Sequence, residues 1–282
     1  MTSEVLRYAA FTDAGIGGNP AGVVLDAGSL NDAEMLAIAR DVGYSETAFV
    51  LPDETATRLR YFSPLAEVAF CGHATVATAV ALADRDGPGQ LDLITLAGPI
   101  RVTTVADDSG LVATLTSPPT RTRPVGEAVL SEALAAIGWE PDDLDPAYPP
   151  HVAFAGNDHL VLGVTSLATL AGLDYDFDRL AELMRQEQWT TVHLFFAEGD
   201  GVFHVRNAFP PGGVVEDPAT GAAAAAFGGY LRSLGLVLLP RRLTLLQGRD
   251  MGRPSRLLVD LDPDTDVVRV SGSATRLTPA GE

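Results

Sequence analysis

The stretch Asp217-Pro-Ala-Thr-Gly221, followed by five consecutive alanines at Ala222–Ala226, has the most to say about chemistry. Aspartate followed by proline starts a helix well, because the carboxylate accepts an orphan N–H and proline has none to waste. Asp217 is therefore expected at the N-cap and Pro218 at N1 of an apolar helix over Ala219–Leu234. Thr220 and Gly221 fall at its start, where backbone N–H groups and the positive end of the dipole suit a substrate carboxylate. The plainer alternative is that Asp217 only caps. Cys71-Gly72-His73 opens a second apolar helix, read over Ala74–Ala83. His73 sits in its first turn, placed to give or take one hydrogen bond, or is simply a polar residue at a helix start. Cys71 reads as a proton-carrying thiol or as a small buried hydrophobe.

Glu46 is the odd residue in Tyr44-Ser-Glu-Thr-Ala-Phe-Val50. A carboxylate entering an apolar strand is costly to bury unless it is paired or has chemistry to perform, and general acid/base catalysis is such chemistry. A strand-edge glutamate in solvent is the alternative. Gly17-Gly-Asn-Pro-Ala-Gly22 and the loop from Gln247 to Ser255 are glycine-dense, but neither has dinucleotide-binding or phosphate-loop spacing. Arg249 and Arg253 suit an anionic ligand or an ordinary surface turn. The five histidines show no pair at metal-ligand spacing, so no metal site is expected; no Gly-x-Ser-x-Gly elbow occurs.

These residues need elements to hold them. Short β-like runs dominate: Val5–Ala9, Ala21–Asp26, Thr47–Leu51, Thr57–Phe62, Leu91–Leu96, Ile100–Val105 and Leu111–Leu115 in the first half. The second half offers His151–Ala155, Leu160–Val164, Thr191–Phe196, Val202–Arg206, Leu243–Leu246, Ser255–Asp260 and Val267–Ser271. Helices are fewer. Asn31–Val42 carries a capping box of Asn31 and Glu34, and Asp178–Gln186 has helical spacing. The two helices at the chemical motifs are apolar almost all round, as a helix enclosed by sheet must be.

The halves also resemble each other. Arg58-Leu-Arg-Tyr-Phe-Ser-Pro64 runs into Cys71-Gly-His-Ala-Thr75, and 146 positions on, His204-Val-Arg-Asn-Ala-Phe-Pro210 runs into Asp217-Pro-Ala-Thr220. On that overlay Glu46 matches Val192, so the site is asymmetric in its acid. The expected fold is α+β: two pseudo-symmetric domains, residues 1–120 and 121–282, each a curved, mostly antiparallel sheet or barrel around a central apolar helix. The Pro/Arg/Thr-rich stretch Ser117–Val125 reads as an extended crossover between them. The two helix starts would meet where the domains face each other, and such clefts usually hold small-molecule sites.

Composition narrows the class. The chain has 282 residues, 46% hydrophobic, with 37 acidic residues against 19 basic ones and a formal charge of −18. That charge repels phosphate backbones and anionic lipid surfaces, so neither nucleic acid nor membrane is an expected partner. A single cysteine excludes an internal disulfide framework and a cysteine-cluster metal site. No secretory signal or membrane-spanning run is visible, which points to the cytoplasm.

Taken together, Gly18-Asn19-Pro20-Ala21, Ser45-Glu46-Thr47, Phe70-Cys-Gly-His-Ala-Thr75, Glu216-Asp-Pro-Ala-Thr-Gly221, and Gln247-Gly with Gly252-Arg-Pro-Ser255 resemble the PhzF-like phenazine-biosynthesis isomerases, of the diaminopimelate-epimerase fold. The motifs occur in family order along essentially the whole chain. The resemblance implies two pseudo-symmetric domains with the active site in the cleft between them, a homodimer and no cofactor. It implies Glu46 as the group that moves a proton on a small carboxylate-bearing substrate, with His73 and Asp217 as its catalytic companions. Gly72, Cys71, Asn19, Thr220 and Gly221 would line the substrate. Two departures stand out. The characterised isomerase has serine where this chain has Ala222, and no cysteine near Pro218 answers Cys71, so two-thiol racemisation is excluded. The readings left open are a cofactor-independent isomerase or epimerase, a catalytically silent binding or scaffold protein, and single-thiol chemistry at Cys71.

Overall fold

The computed structural model describes residues 4–52, 57–107 and 110–278. The chain divides into two compact units, Met1–Thr116 with Ser271–Glu282, and Ser117–Val270.

The first unit runs β1 (Leu6–Ala10), β2 (Asn19–Val24), α1 (Asp32–Val42), β3 (Thr47–Pro52), β4 (Thr57–Phe62), β5 (Glu67–Val68), α2 (Gly72–Asp86), β6 (Gln90–Thr95), β7 (Gly98–Asp107) and β8 (Gly110–Thr116). The second unit runs β9 (Arg121–Pro124), α3 (Glu127–Ile137), β10 (His151–Phe154), β11 (Asp158–Val164), α4 (Leu167–Ala171), α5 (Phe177–Glu187), β12 (Trp189–Gly199), β13 (Val202–Ala208), β14 (Glu216–Asp217), α6 (Gly221–Ser233), β15 (Arg241–Gln247) and β16 (Ser255–Leu261). The last strand, β17 (Arg269–Arg276), carries the chain back to the first unit.

In the first unit β1, β2, β3, β4, β6, β7, β8 and β17 pair in that order, and β17 pairs back onto β1, closing a barrel. The pairs β2–β3 and β4–β6 are parallel, and β1–β2, β3–β4, β6–β7, β7–β8 and β1–β17 are antiparallel. A parallel pair needs a long crossover, and α1 and α2 supply one each. The two helices differ as their sequences require. α1 buries only Met35 and Ala39 and packs outside against β3 and β4, whereas α2 buries every residue from His73 to Ala83 and touches β1, β2, β3, β7 and β8. An eight-stranded barrel has room for little more than side chains, so the enclosed helix must be thin. Ala74, Ala77, Ala79, Ala81 and Ala83 make it so.

In the second unit the sheet order is β9-β10-β11-β12-β13-β15-β16, with β11–β12 and β13–β15 parallel. α6 touches strands from both ends and the middle of that order, β9, β10, β11, β12 and β16. Residues alternate along the strands. Leu160, Leu162 and Val164 of β11 and Val192 and Leu194 of β12 join Leu134, Leu180 and Met184 in a core under α3 and α5. His193 and Phe195 turn the other way, and the rings of both lie within 5 Å of that of Phe227 on α6 (4.7 and 4.6 Å).

Three expectations change. The domain division at residue 120 gives way to one at Thr116, and the C-terminal segment from Ser271 belongs with the first unit because β17 pairs with β1 (Tyr8↔Arg276 to Ala10↔Ala274). The Ser117–Val125 crossover contains a true strand, β9, hydrogen-bonded to β10. Two further helices, α3 and α4, fall in stretches read without one. Among the described residues, no helix is long and apolar enough to cross a membrane.

Candidate active site

Each unit has candidate side chains at or near the start of its enclosed helix. In the first unit Cys71 is the N-cap of α2, Gly72 its first residue and His73 its second. Glu46 immediately precedes β3, with its backbone carbonyl accepting from the Gly22 N–H of β2 at 3.1 Å. These two attachments bring together residues far apart in the chain. His73 Nε2 lies 3.4 Å from Glu46 Oε2, and Cys71 Sγ lies 3.3 Å from His73 Nδ1. Ser45 Oγ is 3.4 Å from the same Nε2. The side chain of Glu46 is 18% exposed and that of His73 8%, so the carboxylate is largely sequestered with one side left open.

The helix start is braced from below. The Cys71 carbonyl accepts from the Thr75 N–H (3.0 Å) and the Thr75 hydroxyl (2.7 Å), and the Thr75 hydroxyl meets the buried Tyr61 hydroxyl at 2.6 Å. Arg60 of β4 bonds both carboxylate oxygens of Glu67 in β5 (2.6 and 2.7 Å) and reaches Asp32 at 2.7 Å. It ties the segment that leads into Cys71 to the start of α1. Asn19 is buried at the head of β2, opposite Ala10.

In the second unit the expected N-cap is corrected. Asp217 lies in β14, paired with Asn207 of β13, and α6 begins only at Gly221 with Thr220 as N-cap. The strand pairing holds Asp217 extended and delays the helix. The carboxylate instead accepts from the Thr220 hydroxyl at 2.5 Å. Gln247, at the end of β15, fastens the same loop. Its Oε1 accepts from the Thr220 N–H (3.2 Å), and its Nε2 donates to the Asp217 carbonyl (2.6 Å) and the Thr220 hydroxyl (3.0 Å). Gly248 lets that loop approach, since a Cβ there would stand 2.8 Å from the Pro218 carbonyl oxygen, and its φ is +71°. Arg206 donates twice to Glu216 Oε2 (3.0 and 2.6 Å) and caps the Leu170 and Ala171 carbonyls of α4. Burial pushes the Glu216 carboxyl up, against the pull of Arg206. Arg249 and Arg253 are exposed around a short turn.

The helix starts share one further property. α1, α4 and α5 have an N-cap side chain bonded to their first turn, while α2, α3 and α6 have none. Residue spacing gave no sign of the Arg60–Glu67 and Arg206–Glu216 pairs. They stand 146 positions apart in arginine, as the internal repeat does, and that offset was the one signal available. Nor did it join Glu46 to Cys71 and His73 as three metal-competent donors, whose ligating atoms all lie within 4.8 Å of one another.

Residues 8–279 match the family model described as phenazine biosynthesis-like protein (PhzC-PhzF). The chain belongs to that family. Across the family, this chain is 36% identical to an uncharacterized isomerase of Deinococcus radiodurans, over 97% of this chain and 93% of the relative. It is 32% identical to the trans-2,3-dihydro-3-hydroxyanthranilate isomerase of Pseudomonas chlororaphis, over 94% and 93% respectively. The crystal structure of the PhzF-family phenazine biosynthesis protein of Bacillus anthracis superposes with a TM-score of 0.88 at 28% identity, covering 99% of this chain and 98% of that one. A probable proline racemase from Agrobacterium radiobacter shares the fold alone, at TM-score 0.66 and 14% identity over 100% and 94% of the two chains. This member of the PhzC-PhzF family is an isomerase with a mixed α/β fold built on a β-barrel and few helices.

Proposed function

We propose that this protein moves a proton on a small carboxylic-acid substrate without a cofactor, with Glu46 as the proton carrier. The observation that carries the reading is the 3.4 Å contact between Glu46 Oε2 and His73 Nε2, both largely withdrawn from solvent. A carboxylate and an imidazole side by side can hold one proton between them and deliver it to carbon or take it from carbon. Their rigid backing fixes the direction of delivery. His73 orients Glu46 and shares its proton, and Asp217 is assigned to the same reaction.

The first-turn N–H groups of α2 and α6, which no N-cap side chain engages, suit the substrate carboxylate. Gly72, Cys71, Thr220 and Gly221, at those helix starts, are assigned to substrate binding with them, and Asn19, buried at the head of β2, is assigned to it on the family resemblance. The matching strand order of the two units, antiparallel at β3–β4 and β12–β13 and parallel at β4–β6 and β13–β15, supports a pseudo-symmetric pair of epimerase-like domains. A homodimer completes the assignment and rests on the family resemblance. The substrate we favour is a cyclic or amino carboxylic acid with an acidic C–H, of the kind named for the Pseudomonas chlororaphis relative.

The test is a thermal-shift screen of small carboxylic acids, trans-2,3-dihydro-3-hydroxyanthranilate among them, since a ligand raises apparent stability by mass action. Hits are then followed for deuterium uptake in heavy water. Uptake by the wild type that Glu46→Gln abolishes supports the reading, and equal uptake by both removes Glu46 from the reaction. The 3.3 Å contact between Cys71 and His73 favours a second reading, proton carriage by the thiol. Full activity in Cys71→Ser eliminates it.

A further inference from the structure

We infer that Glu46, Cys71 and His73 form a three-donor site for a Zn2+-class cation, and that an ion held there silences the proton transfer. The second clause rests on the function proposed above; the first does not. A carboxylate oxygen, a thiol sulfur and a ring nitrogen lie mutually within 4.8 Å. Nε2 of His73 is 3.4 Å from Glu46 Oε2 and 3.8 Å from Cys71 Sγ. A tetrahedral ion with bonds of about 2.0–2.3 Å needs its donors about 3.3–3.8 Å apart. Two edges of the triangle already have that length, and the third, from Cys71 Sγ to the Glu46 carboxylate, is no longer than 4.8 Å.

The donor types choose the ion. Sulfur and imidazole suit a borderline-soft cation and are poor ligands for Mg2+ or Ca2+, which take oxygen. Binding replaces the S–H bond of Cys71 by S–Zn and releases the proton to solvent. Thiolate and carboxylate together then balance the double positive charge, which offsets the opposing dipole of α2. Two of the donors stand on one rigid helix start, held through the Cys71 carbonyl by Thr75 and, behind it, Tyr61. The cluster keeps an open side at Glu46, so three protein ligands leave a fourth position for water or a substrate carboxylate, in the manner of open zinc sites. A carboxylate and an imidazole that ligate a cation no longer carry a proton.

The experiment titrates the chelator-treated full-length protein with Co2+ and follows the sulfur-to-cobalt charge-transfer absorption, then displaces Co2+ with Zn2+. One equivalent is expected, with the band lost in Cys71→Ser. Glu46→Gln and His73→Gln should each weaken binding at least roughly tenfold, a change even outer-shell partners reach. Excess Mg2+ should not compete. Melting curves of the metal-free variants establish that each is folded. Absence of saturable binding, binding without the charge-transfer band, or wild-type affinity in all three folded variants would overturn the site. If Zn2+ binds as expected while deuterium uptake continues, the metal site stands and the Glu46 mechanism falls. If Zn2+ fails to bind, uptake by the wild type still tests that mechanism separately.

Discussion

Nε2 of His73 stands 3.4 Å from Oε2 of Glu46, although the two residues enter from different elements, one on the second residue of α2 and the other just before β3. The barrel wall fixes the glutamate through the Gly22–Glu46 backbone bond, and the enclosed helix fixes the histidine. Neither can drift without disturbing a core element. That rigidity is what positioned proton transfer asks of its groups.

Replacing His73 with glutamine keeps a hydrogen-bonding group in place but removes the ring that can share a proton. His73→Gln should lower deuterium uptake by roughly 10²-fold, within the usual range for a positioned acid–base group. Its melting temperature should stay close to that of the wild type. Circular dichroism and the exchange measurement together check this. Unchanged uptake would reduce His73 to a structural neighbour.

The two arginine–glutamate pairs differ in burial. Arg206 and Glu216 are 11% and 3% exposed, Arg60 and Glu67 23% and 24%. Arg206→Met strands a buried carboxylate whose Oε1 has no partner among the described residues. It should cost about 3–5 kcal/mol, read by urea denaturation. Arg60→Met should cost clearly less, because Glu67 can still reach water. The double variant Arg206→Met/Glu216→Leu should recover most of the loss, since removing both charges removes the uncompensated one.

Acid should weaken the second unit through its buried histidines. Burial pushes His159 and His193 down to about 3, from the ordinary value near ~6.5. Between those limits the unfolded chain binds protons that the folded chain refuses, so stability is full above about pH 6.5 and falls as pH drops towards 3. The His193 ring is fully buried, and its contact with Asn207 recovers only part of that cost. His193→Leu should therefore fold at neutral pH and lose stability less steeply in urea series from pH 7 to pH 4.5. An identical slope would contradict the assignment.

Gly18 has φ +79°, and a Cβ there would stand 2.7 Å from the Ala10 carbonyl oxygen. Both the left-handed backbone and the contact penalise a side chain. Gly18→Ala should cost about 1–3 kcal/mol in chemical denaturation and loosen the turn that sets Asn19 at the head of β2.

Much of the fold was legible because it follows local rules. The capping box of Asn31 and Glu34 forms as its spacing requires, with bonds of 2.8 and 3.1 Å. The apolar circumference of α2 and α6 announced that sheet encloses them. Asp217 misled because aspartate-proline is a good local helix start, while what overrides it is the pairing of Asp217 with Asn207 of the preceding strand, which that dipeptide does not signal. α3 escaped because its N-cap is Gly126, which makes no side-chain bond. The return of β17 to β1 could not be read from either segment alone. Of the site, Glu46, His73 and Cys71 were each visible by type, but their meeting depends on tertiary placement. Gln247 and the two half-buried arginines act through partners that spacing does not reveal.

The central claim is that Glu46 carries the proton. Its most direct measurement is deuterium incorporation from heavy water into a turned-over carboxylic acid, comparing the wild type with Glu46→Gln at matched ligand occupancy. The account predicts incorporation by the wild type and a loss of at least roughly 10²-fold in the variant, with binding retained. Equal incorporation by the two proteins would contradict it.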